Sequence, residues 1–142
     1  MILYLDTSSL LKYYVDEAHS ADVRGWVDGA SMLATSRVTL VEAAAALSRR
    51  HLGGGLTGKQ CRSAFADLKA DWPLYIAVEL CEERAAEVAC RHLLRGFDAV
   101  QLSAALTVQQ GAGPEALAFS SFDAELNEAA RAEGLTVLEP LD

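Results

Sequence analysis

The sequence predicts an α/β fold in which a five-stranded, mostly parallel sheet carries helices on both faces. Short apolar segments of strand length alternate along the chain with longer segments of helical pattern. Hydrophobic residues make up 51% of the chain, which excludes a disordered class. A chain of this length buries roughly 68% of its unfolded surface, so we expect one domain spanning residues 1–142.

The first half of the chain is predicted to hold two strands and three helices. The apolar run Met1–Leu5 is the first strand, and Ser31–Ala34 is a weaker second strand. Helices are expected over Ser9–Val15 and Ser20–Asp28. A third helix, over Leu40–Arg50, is predicted from its alanine content and from apolar residues that share one helical face. A run of three glycines ends it.

The second half begins with a helix whose two ends are both marked in the sequence. Thr57 and Gln60 form a capping box that opens this helix, and Pro73 closes it. The remaining elements are predicted to be strand Leu74–Val78, helix Glu82–Arg95, helix Asp98–Gln110, strand Leu117–Ser120, helix Ala124–Glu133 and strand Thr136–Leu138. Gly96 is expected to stop the helix before it.

The charge of the chain is uneven. Its net charge of −8 argues against a generic nucleic-acid binder, which usually has a basic surface. Residues 37–95, however, contain nine Lys or Arg and seven Asp or Glu, so the middle of the chain is the better candidate for meeting a polyanion. The basic residues predicted to contact phosphate or a dimer edge are Arg37, Arg49, Arg50, Lys59 and Arg62.

The cysteines and the hydropathy pattern suggest a cytoplasmic protein. Cys61, Cys81 and Cys90 form no C-x-x-C pair and no zinc-ligand spacing with histidine, so we expect small buried apolar residues in a reducing compartment. The apolar run at the N-terminus is too short for a secretory signal, and no segment approaches the length of a membrane span. No G-x-S-x-G supports a serine nucleophile.

Four carboxylates each stand where a strand or loop passes into a helix: Asp6, Glu42, Asp98 and Asp123. Ligands of parallel sheets bind at the carboxyl ends of the strands, and Asp6 and Asp123 follow predicted strands. If the four acids meet at that edge, they repel one another by roughly 4 kcal/mol per close pair at a protein surface. A divalent cation is the natural way to neutralise them.

Each of these acids also has a purely structural interpretation. Glu42 follows Thr39, and Asp98 precedes Gln101, at the spacing of a capping box. Asp6 and Asp123 could accept hydrogen bonds from the amides that begin the next helix, where the helix dipole favours negative charge. For any single acid, capping is the simpler explanation, and it is the occurrence of all four that favours a site.

Four segments resemble the PIN-domain ribonucleases, and among these the VapC-like toxins of bacterial type II toxin–antitoxin systems. The segments are D-T-S-S-L-L-K-Y-Y, V-E-A-A-A-A-L, F-D-A-V-Q-L-S-A-A and S-S-F-D-A-E-L-N-E-A-A-R-A-E-G-L-T-V. The resemblance implies a five-stranded parallel sheet, Mg²⁺ or Mn²⁺ as cofactor, and cleavage of single-stranded RNA. It also implies a homodimer and a small antitoxin that docks on the protein and blocks its site.

The acidic quartet of the family falls on the four acids, and its small hydroxyl residues fall on Ser8 and Ser121. We hypothesise that Asp6, Glu42 and Asp98 hold one metal ion, some through water, while Asp123 holds a second ion or orients the attacking water. Ser8 and Ser121 would fix the carboxylate rotamers. The resemblance implies a 3′-oxygen leaving group and a 5′-phosphate product. Serine in place of the more usual threonine at Ser121, and the acidic pI, depart from the family pattern.

Two other functions remain open at this point. One is a PIN-like domain that has lost catalysis and acts as a binding module. The other is a phosphotransferase with Asp6 as its nucleophile, although such enzymes need a second aspartate where this chain has Ser8.

The helix pair around the triple glycine could also form a projecting arm. In that arrangement Phe65, Leu68 and Trp72 would meet a second subunit or the antitoxin instead of the core.

Overall fold

A computed structural model describes residues 1–141 and shows a single five-stranded sheet in which every paired strand is parallel. The strands are β1 (Ile2–Leu5), β2 (Met32–Ser36), β3 (Ile76–Val78), β4 (Leu117–Ser120) and β5 (Thr136–Leu138). Their order across the sheet is β3-β2-β1-β4-β5. The predicted α/β class and the five strands are confirmed.

Seven helices cover the sheet in the described part of the chain. They are α1 (Thr7–Tyr14), α2 (Ser20–Gly29), α3 (Val38–Leu52), α4 (Gly58–Asp71), α5 (Glu82–His92), α6 (Gly96–Ala112) and α7 (Ala124–Ala132). A short 3₁₀ turn, Trp72–Leu74, follows α4. The predicted capping box at Thr57 and Gln60 is present at the start of α4.

The alternation of side chains along β1 divides the core into two halves. Leu3 and Leu5 point into one half, which is filled by residues of α1, α2, α3 and α4. Tyr4 points into the other half, where it stacks on Phe119 among residues of α5, α6 and α7. The sheet is therefore buried on both faces, as expected of parallel strands joined by helical crossovers.

The strand order places a topological switch point between β1 and β4. The chain moves from β1 toward β2 and β3 on one side, then crosses to β4 and β5 on the other. A crevice forms outside the carboxyl ends of two strands from which the chain departs in opposite directions. Asp6 directly follows β1, and Asp123 caps the helix after β4, so both acids lie at this crevice.

Several predicted boundaries differ from the structure for local reasons. The strand predicted from Leu74 begins only at Ile76, because Pro73 lies within the 3₁₀ turn. The fifth helix ends at His92, three residues before the predicted end at Arg95, and Leu93 caps it in the left-handed conformation (φ 54°). Gly96 instead begins α6.

The predicted projecting arm is wrong for Leu68. This residue is completely buried in the half of the core that α1, α3 and α4 share. Phe65 and Trp72 are partly buried and pack against the same cluster. The apolar stripe of α4 therefore folds back onto the domain, because α1 and α3 already offer an apolar surface to cover it.

The prediction that all three cysteines are buried is also wrong. Cys61 is half-buried, whereas Cys81 and Cys90 are exposed. Cys81 is the residue that precedes α5, and Cys90 lies on that helix away from its buried Ala85 and Val88. Within residues 1–141, no helix combines the length and apolarity that crossing a membrane requires.

Candidate active site

Asp6 is a buried carboxylate held by three hydrogen bonds. It caps α1, and its Oδ1 accepts from the backbone N–H of Ser9 at 3.0 Å. The same oxygen accepts from the Ser8 hydroxyl at 2.7 Å, and Oδ2 accepts from the Ser121 hydroxyl at 2.7 Å. Only 5% of the residue is exposed. Its rotamer is fixed by groups from both β1–α1 and β4–α7.

The two serines also link the β1–α1 connection to the β4–α7 connection. The Ser8 hydroxyl accepts from the backbone N–H of Phe122 at 3.0 Å, and the Ser121 hydroxyl accepts from the N–H of Asp123 at 3.0 Å. Each hydroxyl thus donates to Asp6 and accepts from the turn before α7. The predicted partners of Asp6 are in contact with it.

Asp123 and Asp98 both lie close to the guanidinium of Arg95. Oδ1 of Asp123 caps α7 by accepting from the N–H of Leu126 at 3.0 Å. Its Oδ2 lies 3.9 Å from Nη2 of Arg95, whose Nε lies 3.7 Å from Oδ2 of Asp98. Asp98 and Asp123 are 28% and 30% exposed at their side chains, so both remain open to solvent.

Glu42 is oriented by α1 and α6. Its Oε1 accepts from the Thr7 hydroxyl at 2.7 Å and from the Gln101 amide at 2.9 Å. Gln101, only 3% exposed, also donates to Thr39 and accepts from the Tyr4 hydroxyl. Because α3 begins at Val38, Glu42 lies in its second turn and not in its first.

The charges of neighbouring acids contribute to raised pKa values at Asp6 and Asp98. The pKa of the Asp6 carboxyl is raised from 3.8 to about 6, chiefly by burial and to a smaller extent by the charge of Asp98, while its hydrogen bonds oppose the rise. Burial also raises the pKa of Asp98, as do the charges of Asp123 and Glu42, while Arg95 lowers it. Carboxyls with raised pKa values, such as those of Asp6 and Asp98, are a mark of a functional site when they line a crevice.

Helix capping explains part of this arrangement and not the rest. Asp6 and Asp123 do cap α1 and α7. The two predicted capping boxes do not form, because the helices carrying Glu42 and Asp98 begin earlier, after Arg37 and Arg95, neither of which makes a side-chain cap. Two of the four acids therefore have no capping role.

The donor chemistry of the four acids fits a hard divalent cation. Carboxylate oxygens are the ligands that Mg²⁺ and Mn²⁺ prefer, and Mg²⁺ keeps several waters when it binds proteins. Over residues 1–141, no three His, Cys, Asp or Glu side chains converge closely enough to form a metal site in the present arrangement. The guanidinium of Arg95 provides the positive charge between Asp98 and Asp123.

The basic residues predicted to bind substrate have other ion-pair partners or are exposed on helices. Arg37 is 3.8 Å from Glu79, and Arg50 is 2.9 Å from Glu17. Arg49 is exposed on α3, and Lys59 and Arg62 are exposed on α4. None of the five forms an ion pair with the four acids within the described chain.

Three residues of the site were not predicted: Thr7, Gln101 and Arg95. A weak signal existed for each. Thr7 follows Asp6 directly, Gln101 is a polar residue in the apolar run after Asp98, and Arg95 precedes Asp98 by three positions. Polarity alone does not distinguish such residues from solvated ones.

Comparison with known proteins agrees with this fold and identifies the family. The sequence profile of the PIN domain matches residues 3–132. The chain is 32% identical over 139 residues to Ribonuclease VapC45 of Mycobacterium tuberculosis (strain CDC 1551 / Oshkosh), a match covering 96% of this chain and 94% of that protein. Ribonuclease VapC49 of M. tuberculosis (strain ATCC 25618 / H37Rv) matches with the same identity and coverage.

Solved structures share the fold. PAE2754 from Pyrobaculum aerophilum superposes with a TM-score of 0.67 at 21% identity, covering 96% of this chain and 83% of that one. FitAcB from Neisseria gonorrhoeae gives 0.65 at 17% identity, covering 98% and 97%. The α/β fold of this chain is thus shared with known structures. The chain belongs to the PIN-domain family, and within it to the VapC-like proteins.

Proposed function

We propose that this protein is a metal-dependent endoribonuclease that cleaves single-stranded RNA and acts as the toxin of a toxin–antitoxin pair. The observation that carries the proposal is the network around Asp6, which joins the β1–α1 and β4–α7 connections at one crevice. The VapC relatives, named as ribonucleases, support the reaction class.

The four acids are the residues that would hold Mg²⁺ or Mn²⁺. In this proposal Asp6, Glu42 and Asp98 hold one ion, partly through water, and Asp123 holds a second ion or orients the attacking water. A bound divalent ion supplies an activated water and neutralises the charge that builds on phosphorus during phosphodiester hydrolysis.

The surrounding side chains keep the carboxylates in place. Ser8 and Ser121 hold both oxygens of Asp6, and Thr7 and Gln101 hold one oxygen of Glu42. Pre-oriented ligands lose little freedom when an ion or a phosphate arrives. Water that attacks the phosphorus in line with the bond to the 3′ oxygen would break that bond. One product would then end in a 3′-hydroxyl and the other would begin with a 5′-phosphate.

We further propose a cytoplasmic homodimer that a small antitoxin inhibits. The VapC relatives support such a partner. Arg37, Arg49 and Arg50 stay candidates for weak contacts with the RNA backbone, since their side chains reach the solvent.

Replacing Asp6 by Asn tests the reaction. We expect Asp6→Asn to lower Mn²⁺-dependent cleavage of single-stranded RNA by at least about 100-fold, because the buried charge that attracts the ion is lost. Asp16→Asn is the matched control, since Asp16 is exposed and pairs only with Arg24. Circular dichroism and thermal unfolding verify that both variants fold.

Two outcomes would contradict the proposal. Full metal-dependent activity in Asp6→Asn would show that the active site does not lie at Asp6 and the other three acids. A folded wild-type protein that binds Mn²⁺ and RNA without cleaving favours instead a catalytically inactive PIN-like binding module.

A further inference from the structure

Arg95 is the positively charged partner of two of the four acids. Its guanidinium lies 3.7 Å from Asp98 and 3.9 Å from Asp123. No other Lys, Arg or His in residues 1–141 comes within 4.0 Å of any of these acids. The same side chain is 83% exposed, so it borders both the acids and the solvent from which RNA would approach.

The contacts of Arg95 are loose. Both distances exceed those of a normal hydrogen bond, and exposed ion pairs of this kind stabilise proteins little. The backbone of Arg95 is held at the N-cap of α6, where the N–H of Ala99 bonds to its carbonyl at 3.0 Å. Its side chain is thus free to turn while its anchor stays fixed beside Asp98.

We propose that Arg95 is a phosphate-binding residue that exchanges its role with the metal ion. Without metal, its guanidinium neutralises Asp98 and Asp123. When a divalent cation binds the acids, Arg95 is released and pairs with the RNA backbone next to the scissile bond. This inference rests on the nuclease function proposed above.

The charges of the site favour such an exchange. A doubly charged ion neutralises carboxylates better than one guanidinium does. The carboxylate oxygens that Arg95 gives up are also the ligands that such an ion prefers. A released guanidinium presents a planar fork that matches phosphate. The protein has a net charge of −8, so a cation at the crevice offsets the repulsion that RNA would meet there.

The other predicted phosphate contacts are less suited to this position. Arg37 and Arg50 are paired with Glu79 and Glu17, and neither forms an ion pair with the four acids within residues 1–141.

The experiment compares Arg95→Gln with Arg95→Lys and with Arg24→Ala. Arg24 is an ion-paired arginine whose partner is Asp16, so its loss removes one charge without touching the site. Mn²⁺ affinity is measured by isothermal titration on the RNA-free protein. RNA affinity is measured by fluorescence anisotropy with a labelled phosphorothioate single-stranded RNA, which resists hydrolysis, both with EDTA and with saturating Mn²⁺.

We expect Arg95→Gln to bind Mn²⁺ about threefold more tightly than wild type, because a competing charge is gone. We expect the same variant to bind RNA about tenfold more weakly in Mn²⁺ and almost normally in EDTA, where Arg95 is engaged with the acids. Arg95→Lys should keep the Mn²⁺ affinity of wild type, and Arg24→Ala should change neither affinity.

Several results would overturn the inference. These are an unchanged Mn²⁺ affinity in Arg95→Gln, equal weakening of RNA binding with and without metal, or no RNA binding by wild type. The nuclease proposal fails separately, if wild type binds Mn²⁺ and RNA but cleaves no unmodified RNA; both binding comparisons are still readable in that case.

Discussion

The hydroxyl of Ser121 donates a 2.7 Å hydrogen bond to Oδ2 of Asp6, across 115 positions of the sequence. This bond is buried, and it joins the residue after β4 to the residue after β1. The two strands are neighbours in register, with Leu5 opposite Ser120. A single side chain thus ties the acid at the switch point to the turn that carries Asp123.

Removing this hydroxyl should weaken the site without unfolding the domain. In Ser121→Ala, Oδ2 of Asp6 loses its donor, so we expect the rate of RNA cleavage to fall about tenfold. The pH at which activity is half-maximal should also rise, because the hydrogen bond from Ser121 lowers the pKa of Asp6. Steady-state cleavage measured from pH 5 to pH 8 tests both effects.

Two further variants make the result specific. Ser121→Thr keeps the hydroxyl and should keep most of the activity. Ser103→Ala removes a buried hydroxyl of α6 that makes no side-chain hydrogen bond within the described residues, and should have no effect on the pH profile. A normal pH profile in Ser121→Ala would show that the bond to Asp6 has no influence on the reaction.

The burial of Asp6 should make the metal-free protein less stable as the pH rises. Burial raises the pKa of Asp6 from 3.8 to about 6, so the folded protein holds this proton more tightly than the unfolded chain does. The stabilising effect of the bound proton is complete below about pH 4 and is lost as the pH rises through 6. The difference corresponds to roughly 3 kcal/mol of unfolding free energy.

Urea unfolding in EDTA between pH 4 and pH 7.5 measures this effect against Asp6→Asn. The asparagine variant cannot titrate at this position, so subtracting its stability isolates the contribution of Asp6. The stability of wild type relative to the variant should fall with rising pH. A difference that stays constant over this range would mean that Asp6 is ionised with an ordinary pKa.

A divalent ion should reverse that loss of stability. An ion that binds only the folded state, at a free concentration 100 times its Kd, raises the free energy of unfolding by about 2.7 kcal/mol. For a domain of this size, that corresponds to a rise in Tm of roughly 5–10 °C. We expect a larger rise at pH 7.5 than at pH 5, because protons compete for the carboxylates.

Differential scanning fluorimetry with Mn²⁺ and Mg²⁺ gives the measurement. Glu42→Gln should reduce the shift, since one ligand is lost, while Glu17→Gln should not, because Glu17 pairs with Lys12 and Arg50 elsewhere. A Tm that does not change when millimolar Mn²⁺ is added at pH 7.5 would argue against metal binding by the four acids.

The parts of the site that the sequence predicted are those tied to strand ends. Asp6 follows a short apolar run, so the position of its backbone is set once that run enters a parallel sheet. Asp123 is placed in the same way after β4. Glu42 and Asp98 lie on helices, and their relation to the crevice depends on helix starts that were misjudged by two residues each.

Residues that act by orienting others were harder to find. Gln101 lies in a helix whose other residues are mostly apolar, and nothing in the local pattern shows that it bonds to Glu42 and Tyr4. Arg95 is one of several basic residues in the middle of the chain. It lies in the short connection between α5 and α6, where Leu93 adopts a left-handed conformation that is rare for leucine. Nothing in the local pattern shows that this connection brings Arg95 to the acids.

The last prediction separates the role of Gln101 in the site from its role in the core. Gln101 donates to Glu42 and accepts from the Tyr4 hydroxyl at 2.7 Å, and both Gln101 and Tyr4 are buried. Gln101→Ala should lower the RNA cleavage rate about tenfold and destabilise the fold by roughly 2 kcal/mol, because the Tyr4 hydroxyl is left without its partner.

Tyr4→Phe removes that hydroxyl and leaves the bond between Gln101 and Glu42 in place. We therefore expect Tyr4→Phe to lose about 1 kcal/mol of stability with a much smaller change in the cleavage rate than Gln101→Ala. Chemical denaturation and steady-state kinetics on the same preparations give both quantities. Equal losses of activity in the two variants would mean that Gln101 supports the core alone, and that Glu42 is oriented by Thr7 without it.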